Sequence, residues 1–64
     1  MKMNEVSQAT YKNVPITIYC IEEGQYAGQY CAVVLPFSIR TSIRDSIGAA
    51  LDRAIANIEK QLAS

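Results

Sequence analysis

The sequence contains no histidine, so the commonest general base and the commonest metal ligand of proteins are both missing. Catalytic triads that depend on histidine are thereby excluded. Six basic and six acidic residues leave no net charge, which indicates neither a basic nucleic-acid-binding surface nor an acidic mimic of DNA. We therefore expect a protein that is not an enzyme, with no catalytic site, no cofactor and no metal site.

Cysteines are few and apolar runs are short. Cys20 and Cys31 have neither CxxC spacing nor the numbers of a disulfide framework. No apolar run approaches the roughly 20 residues that span a bilayer, and residues 1–13 lack the apolar core of a signal peptide. We expect two reduced, buried thiols, a cytoplasmic location and no association with a membrane.

The length of 64 residues predicts one small domain. A chain of this size buries only about 60% of its unfolded surface, although half of its residues are apolar. Dimerisation would cover the remainder, so we expect a homodimer. Residues 1–13 are polar and weakly patterned, which predicts a flexible segment or a short edge strand from Val6 to Tyr11, ahead of a single domain over residues 14–64.

Two stretches rich in β-branched and aromatic residues predict a hairpin, with strands over 14–21 and 26–35 and a connection over 22–25. Pairing Ile21 with Tyr26 sorts the side chains onto two faces, whereas a competing register with its turn at Ala27 and Gly28 needs a longer first strand. The face expected in the core carries Val14, Ile16, Ile18, Cys20, Ala27, Cys31, Val33 and Leu35. The other face carries Thr17, Tyr19, Ile21, Tyr26, Gly28, Tyr30, Ala32 and Val34.

The hydrophobic period changes near Asp45. Apolar or threonine residues alternate with serine or arginine over 37–43, which predicts a third strand. From Ile47 onward apolar residues recur at helical spacing, which predicts a helix over 46–62 capped by Asp45 or Ser46. A helix that began earlier would place Arg40 and Arg44 within the apolar stripe. As strand residues, both arginines lie on the polar face.

The predicted order is β-β-β-α, an α+β fold in which a three-stranded antiparallel sheet packs on one C-terminal helix. The start of the helix resembles a signature of the HicB-like antitoxin family, matched by Asp45, Ser46, Ala50, Leu51, Ala54 and Ile58. Glu23, Gly24 and Tyr26 resemble the family's hairpin turn, and the resemblance covers about residues 14–60. The family's Pro-Gly-Cys loop is replaced by Leu35-Pro36-Phe37-Ser38, and the segment from there to Asp45 is about two residues longer.

That resemblance implies a partial RNase H-like domain without catalytic residues, which binds and blocks a small mRNA-cleaving toxin. The family's C-terminal DNA-binding segment has no counterpart before Ser64, so autoregulation is not expected. We expect a module from a prokaryote or a phage that binds and inhibits a partner protein, as an antitoxin or as a phage-type inhibitor.

The candidate partner-binding residues are aromatic and basic. Tyr19, Tyr26 and Tyr30 are predicted on the sheet face away from the helix, and Arg40 and Arg44 join them from the third strand. Exposed tyrosines are typical of protein interfaces. Tyrosines with arginines on a sheet can also stack on and neutralise single-stranded nucleic acid, which is the alternative function.

Overall fold

A computed structural model describes residues 2–37, 39–41 and 43–63. Four antiparallel strands form one sheet in chain order: β1 (Met3–Tyr11), β2 (Val14–Ile21), β3 (Tyr30–Val34) and β4 (Ile39–Arg40). A 3₁₀ turn over Leu35–Phe37 joins β3 to β4, and helix α1 spans Ile47–Ala63. The predicted α+β class, with three antiparallel strands followed by a C-terminal helix, is confirmed.

The N-terminal segment adds a fourth strand to the predicted three. β1 has nine residues and pairs antiparallel with β2 at the edge of the sheet, so it is longer than the edge strand predicted from Val6 to Tyr11. The register shifts between Glu5 and Ser7, which leaves Val6 as the extra residue of a β-bulge. Met1, Ser38, Ser42 and Ser64, which fall within predicted segments, lie outside the described residues.

A two-residue turn at Lys12 and Asn13 connects β1 to β2. Both residues have positive φ, 49° and 65° respectively, as a type I′ turn requires, and the twist of this turn matches that of the strands it joins. Pro15 follows in β2, at a position where the ladder with β3 has not yet begun, because that ladder starts at Thr17 opposite Val33. Its missing N–H therefore costs no described pairing.

The connection between β2 and β3 is longer than predicted. Ile21 N donates to Gln29 O at 2.8 Å, and Gly28 N donates to Ile21 O at 2.8 Å. With φ of 88° at Gly28, this is a glycine (G1) bulge that closes a loop over residues 22–29. The predicted pairing of Ile21 with Tyr26 is therefore wrong, because the four-residue connection left out the rest of the loop and its bulge.

The longer loop exchanges the two faces of β3. Cys20 lies opposite Tyr30 instead of Ala27, a shift of three residues, and an odd shift turns every side chain to the other side of the sheet. Tyr30, Ala32 and Val34 therefore face α1, whereas Cys31 and Val33 face away. Leu35, predicted in the core, is 76% exposed.

The core lies between α1 and one face of the sheet. Its buried members are Val14, Ile16, Ile18, Ala32, Val34, Ala50, Ala54 and Ile58, with Ala9, Tyr11, Tyr30, Phe37, Leu51 and Ile55 packed around them. The helical side contributes alanines at two of its three fully buried positions, Ala50 and Ala54. Small residues there let the helix approach the branched side chains of β2 and β3.

Ser46 caps the helix, as predicted. Its Oγ accepts a hydrogen bond from Ala49 N at 3.1 Å, which satisfies one of the free N–H groups of the first turn. The predicted strand over 37–43 is only partly formed: β4 contains two residues, and a separate bridge joins Tyr30 to Arg44. Thr41 lies between them, 5% exposed, and its Oγ1 accepts from Ala32 N at 2.9 Å.

Candidate protein-binding surface

Helix α1 covers one face of the sheet, and no other helix of the described residues covers the opposite face, which we call the open face. The alternation of the strands assigns its side chains from the register. They are Met3, Glu5, Gln8 and Thr10 of β1, Pro15, Thr17, Tyr19 and Ile21 of β2, Cys31 and Val33 of β3, and Arg40 of β4.

One end of the open face is packed although the helix lies on the other side. Ile21 is 1% exposed and Cys31 is 3% exposed. Cys31 Sγ lies 3.7 Å from Met3 Sδ, and Arg40 Nη2 lies 3.8 Å from the same sulfur. The unbranched thioether of Met3 therefore covers the buried thiol and reaches the guanidinium across the sheet.

Tyr19 lies at the middle of the open face, between Glu5 on β1 and Cys31 on β3. Half-buried side chains surround it, and together we call Met3, Thr17, Tyr19 and Val33 the open-face patch. Exposed charged residues flank the patch on both sides, with Glu5 on β1 and Arg40 on β4. Gln8 Nε2 donates to Glu5 Oε2 at 2.7 Å and so restrains that carboxylate.

The predicted tyrosine cluster does not form. Tyr19 lies on the open face as predicted, but Tyr30 lies on the helix face and packs against the core. Tyr26 lies in the loop over residues 22–29 and is 40% exposed. The reason is the longer loop closed by the glycine bulge, because it keeps Tyr26 out of the strand and reverses the facing of Tyr30.

The two arginines are also separated. Arg40 lies opposite Val33 on the open face, whereas Arg44 pairs with Tyr30 through two backbone hydrogen bonds of 2.8 Å. Arg44 then lines a shallow cleft of about 330 Å³ along the helix, with Ala49, Asp52, Arg53 and Ala56. The predicted shared arginine face is therefore wrong. Of the five predicted residues, Tyr19 and Arg40 alone lie on the open face.

The sequence did not single out Met3, Val33 and Leu35 as surface residues. Met3 was assigned to a weakly patterned terminus, and Val33 and Leu35 were placed in the core by the wrong register. Gly28 could have indicated the correct register, because a glycine at the end of a hairpin loop is the residue that a glycine bulge requires.

A second cluster ties the first turn to the end of the helix. The Tyr11 hydroxyl donates to Glu59 Oε1, and Lys12 Nζ lies 2.9 Å from the same oxygen. The hydrogen bond from Tyr11, together with the Lys12 ammonium, lowers the pKa of Glu59. The carboxylate in turn raises the pKa of Tyr11 and that of Lys12. The Tyr11 ring is half-buried against the core and Lys12 is exposed, and the cluster fastens β1 and the turn that follows it to α1.

Within residues 2–37, 39–41 and 43–63, no three cysteine, aspartate or glutamate residues lie close enough together to hold a metal ion. No helix among them is both long enough and apolar enough to cross a membrane. Both cysteines are free thiols, and they lie on opposite faces of the sheet.

Comparisons with protein-family models, with curated proteins and with solved structures found no match.

Proposed function

We propose that this chain is a non-enzymatic protein-interaction module that binds and inhibits a partner protein through the open-face patch. The observation that carries the proposal is the one-sided packing of the sheet. Because α1 lies on one face, an apolar and aromatic patch remains at the surface of the other. An apolar centre with a charged rim is the usual organisation of a protein interface.

Tyr19 is the expected anchor of this interface. Its ring has the largest apolar surface in the patch, its hydroxyl supplies a polar tip, and tyrosine loses little conformational entropy when it is immobilised. Glu5 and Arg40 have opposite charges on opposite sides of the patch. They would orient a partner whose own charges are arranged in the complementary sense.

The resemblance of the helix start to HicB-like antitoxins supports inhibition as the mode of action. In this proposal the partner is a small mRNA-cleaving toxin, or another enzyme that a phage-type inhibitor would block, and the chain acts in the cytoplasm by occluding the partner's active surface. The dimer expected from the small size of the chain would present two copies of the patch.

The test compares two tyrosines of equal chemistry. The tagged chain is co-purified with proteins of its native cell, and the recovered partner's activity is measured with increasing amounts of chain. Tyr19→Ala should weaken inhibition about tenfold or more, because a central tyrosine is commonly a hot spot of an interface. Tyr26→Ala, which removes a ring in the loop, should change it less than about twofold.

Equal inhibition by both variants would contradict the assignment of the surface. Failure to recover any protein, together with a salt-dependent shift of a single-stranded oligonucleotide by the purified chain, would contradict protein binding altogether and assign a nucleic-acid ligand instead.

A further inference from the structure

The two edges of the sheet differ in length and regularity. β4 forms one edge with two residues and an interrupted continuation, so it offers little backbone for pairing. β1 forms the other edge with nine residues. A long edge strand has a row of free N–H and C=O groups that can pair with another strand.

The turn geometry determines which amides of β1 point outward. In a two-residue hairpin the residues that flank the turn, here Tyr11 and Val14, form a hydrogen-bonded pair. The alternation of an antiparallel ladder then directs the amides of Gln8 and Thr10 away from β2. The bulge at Val6 interrupts the strand on the other side, so the regular edge comprises residues 7–11.

Helix α1 covers little of β1. It packs chiefly on β3 and next on β2, and the β1 residues that face it, Ser7, Ala9 and Tyr11, are only half-buried. Both the backbone edge of β1 and part of its inner face therefore remain open in one copy of the chain. A strand added beside β1 would pair with its backbone edge and would cover part of its inner face.

We propose that the strand added beside β1 is β1 of a second copy, in antiparallel orientation about a two-fold axis at Ala9, which pairs Gln8 with the partner subunit's Thr10. Residues 6–11 contain no charge and are bounded by Glu5 at one end and Lys12 at the other. Because Val6 is the extra residue of the bulge, antiparallel pairing places each Glu5 across from the partner subunit's Lys12, which keeps its contact with Glu59 on the helix side. This juxtaposition occurs twice in the dimer. Parallel pairing would instead place like charges together, so the charges select the antiparallel arrangement.

This dimer joins two four-stranded sheets into one sheet of eight strands. Residues opposite each other in an antiparallel pair share a face, so both helices lie on one side and the two open faces form one continuous surface on the other. The inference uses the edge of β1 and is independent of the proposed inhibition, which uses the open-face patch.

The decisive experiment removes one outward N–H without changing the interior pairing. Sedimentation equilibrium of the full chain over a range of concentrations measures the dimer dissociation constant. Gln8→Pro deletes the outward amide, whereas Gln8→Ala deletes the same side chain and its bond to Glu5 but keeps the amide. We expect Gln8→Pro to raise the dissociation constant about tenfold or more relative to Gln8→Ala, with circular dichroism showing that both variants fold.

A second pair of variants tests the charges without any proline. Glu5→Lys places a cation beside the partner subunit's Lys12, so it should weaken the dimer at least about threefold at low salt. Glu23→Lys makes the same change in net charge within the loop over residues 22–29 and should leave the dissociation constant unchanged. Amide exchange at Gln8 and Thr10 should slow as concentration rises.

Four results would overturn the inference. The first is a wild-type chain that stays monomeric at millimolar concentration. The second and third are a dimer that Gln8→Pro and Gln8→Ala weaken equally, or one that Glu5→Lys and Glu23→Lys weaken equally. The fourth is slower amide exchange at Gln8 and Thr10 when a foreign peptide is added, but not when the concentration of the chain itself is raised.

Discussion

The two faces of β2 differ in how far they are buried. Ile16 and Ile18 point to the helix and are each 1% exposed, whereas their neighbours Thr17 and Tyr19 point to the open face and are half-buried. A single alternating strand thus supplies the centre of the core and the centre of the candidate interface. Because side chains alternate strictly, substitutions on one face can change binding while those on the other change folding.

The helix accounts for the difference. It buries branched side chains of β2 and β3 under its own alanines, and no described helix does the same for the other face. Only the end near the loop is packed there, where Met3 covers Cys31. This domain therefore obtains its core from one layer contact and leaves the other side of the sheet available.

Ile16→Ala and Thr17→Ala test the comparison most directly. Ile16 is fully buried, so its truncation should destabilise the fold by about 2–5 kcal/mol, a large fraction of the stability of a small domain. Thr17→Ala, one residue away on the open face, should cost less than about 1 kcal/mol. Denaturant unfolding monitored by circular dichroism measures both, and similar losses for the two would show that the faces do not differ as described.

Substitutions of two glycines compare the bulge, which determines the faces of β3, with the first turn of the helix. Gly28→Ala places a side chain at a φ of 88° and should destabilise the protein by about 1–2 kcal/mol. Gly48→Ala, in the first turn of α1 with open space around its Cβ position, should stabilise it by up to about 1 kcal/mol. Thermal melting distinguishes the two, and a neutral Gly28→Ala would argue against the bulge.

Met3→Ala tests whether the side chain of Met3 is what buries Cys31 at the packed end of the open face. Removing the thioether uncovers the thiol of Cys31, so in a chain that also carries Cys20→Ser the reaction of Cys31 with a thiol reagent should quicken by roughly threefold or more. Leu62→Ala, which truncates an exposed side chain at the end of the helix, is the control. An unchanged rate with Met3→Ala would mean that other groups bury Cys31.

The smallest expected effect concerns the cluster that fastens β1 to α1. The folded-state pKa of Glu59 is lowered, so its contribution to stability is present above the unfolded pKa of about 4.3 and is lost as pH falls through the folded value. Tyr11 and Lys12 have raised pKa values, so their contributions are present below about pH 10 and are lost at higher pH. Stability should therefore plateau between these limits.

Glu59→Gln should flatten both limbs of that dependence, since the partner of Tyr11 and Lys12 loses its charge. Asp52→Asn removes a carboxylate elsewhere on the helix and serves as the control. Melting temperatures between pH 3 and pH 11 measure the effect, and identical pH profiles for wild type and Glu59→Gln would mean that the cluster contributes nothing in solution.

Much of the fold followed from the sequence, but less of the candidate site did. The period-two run of β2, the helical stripe of α1 and the Ser46 cap are local patterns, and each predicted its element. Tyr19 and Arg40 were placed correctly because their strands were assigned correctly. Tyr30, Arg44 and Leu35 were not, because their positions depend on how a loop and a short turn end.

The amino-acid sequence by itself determined which segments are extended and which is helical, since a strand and a helix each impose their period on the residues within them. Only the tertiary structure decided which side of β3 meets the helix and that residues 3–11 complete the sheet as β1. The physical reason is that register depends on the count of loop residues and on one bulge at Gly28, and a miscount of one or three residues there turns the whole strand over.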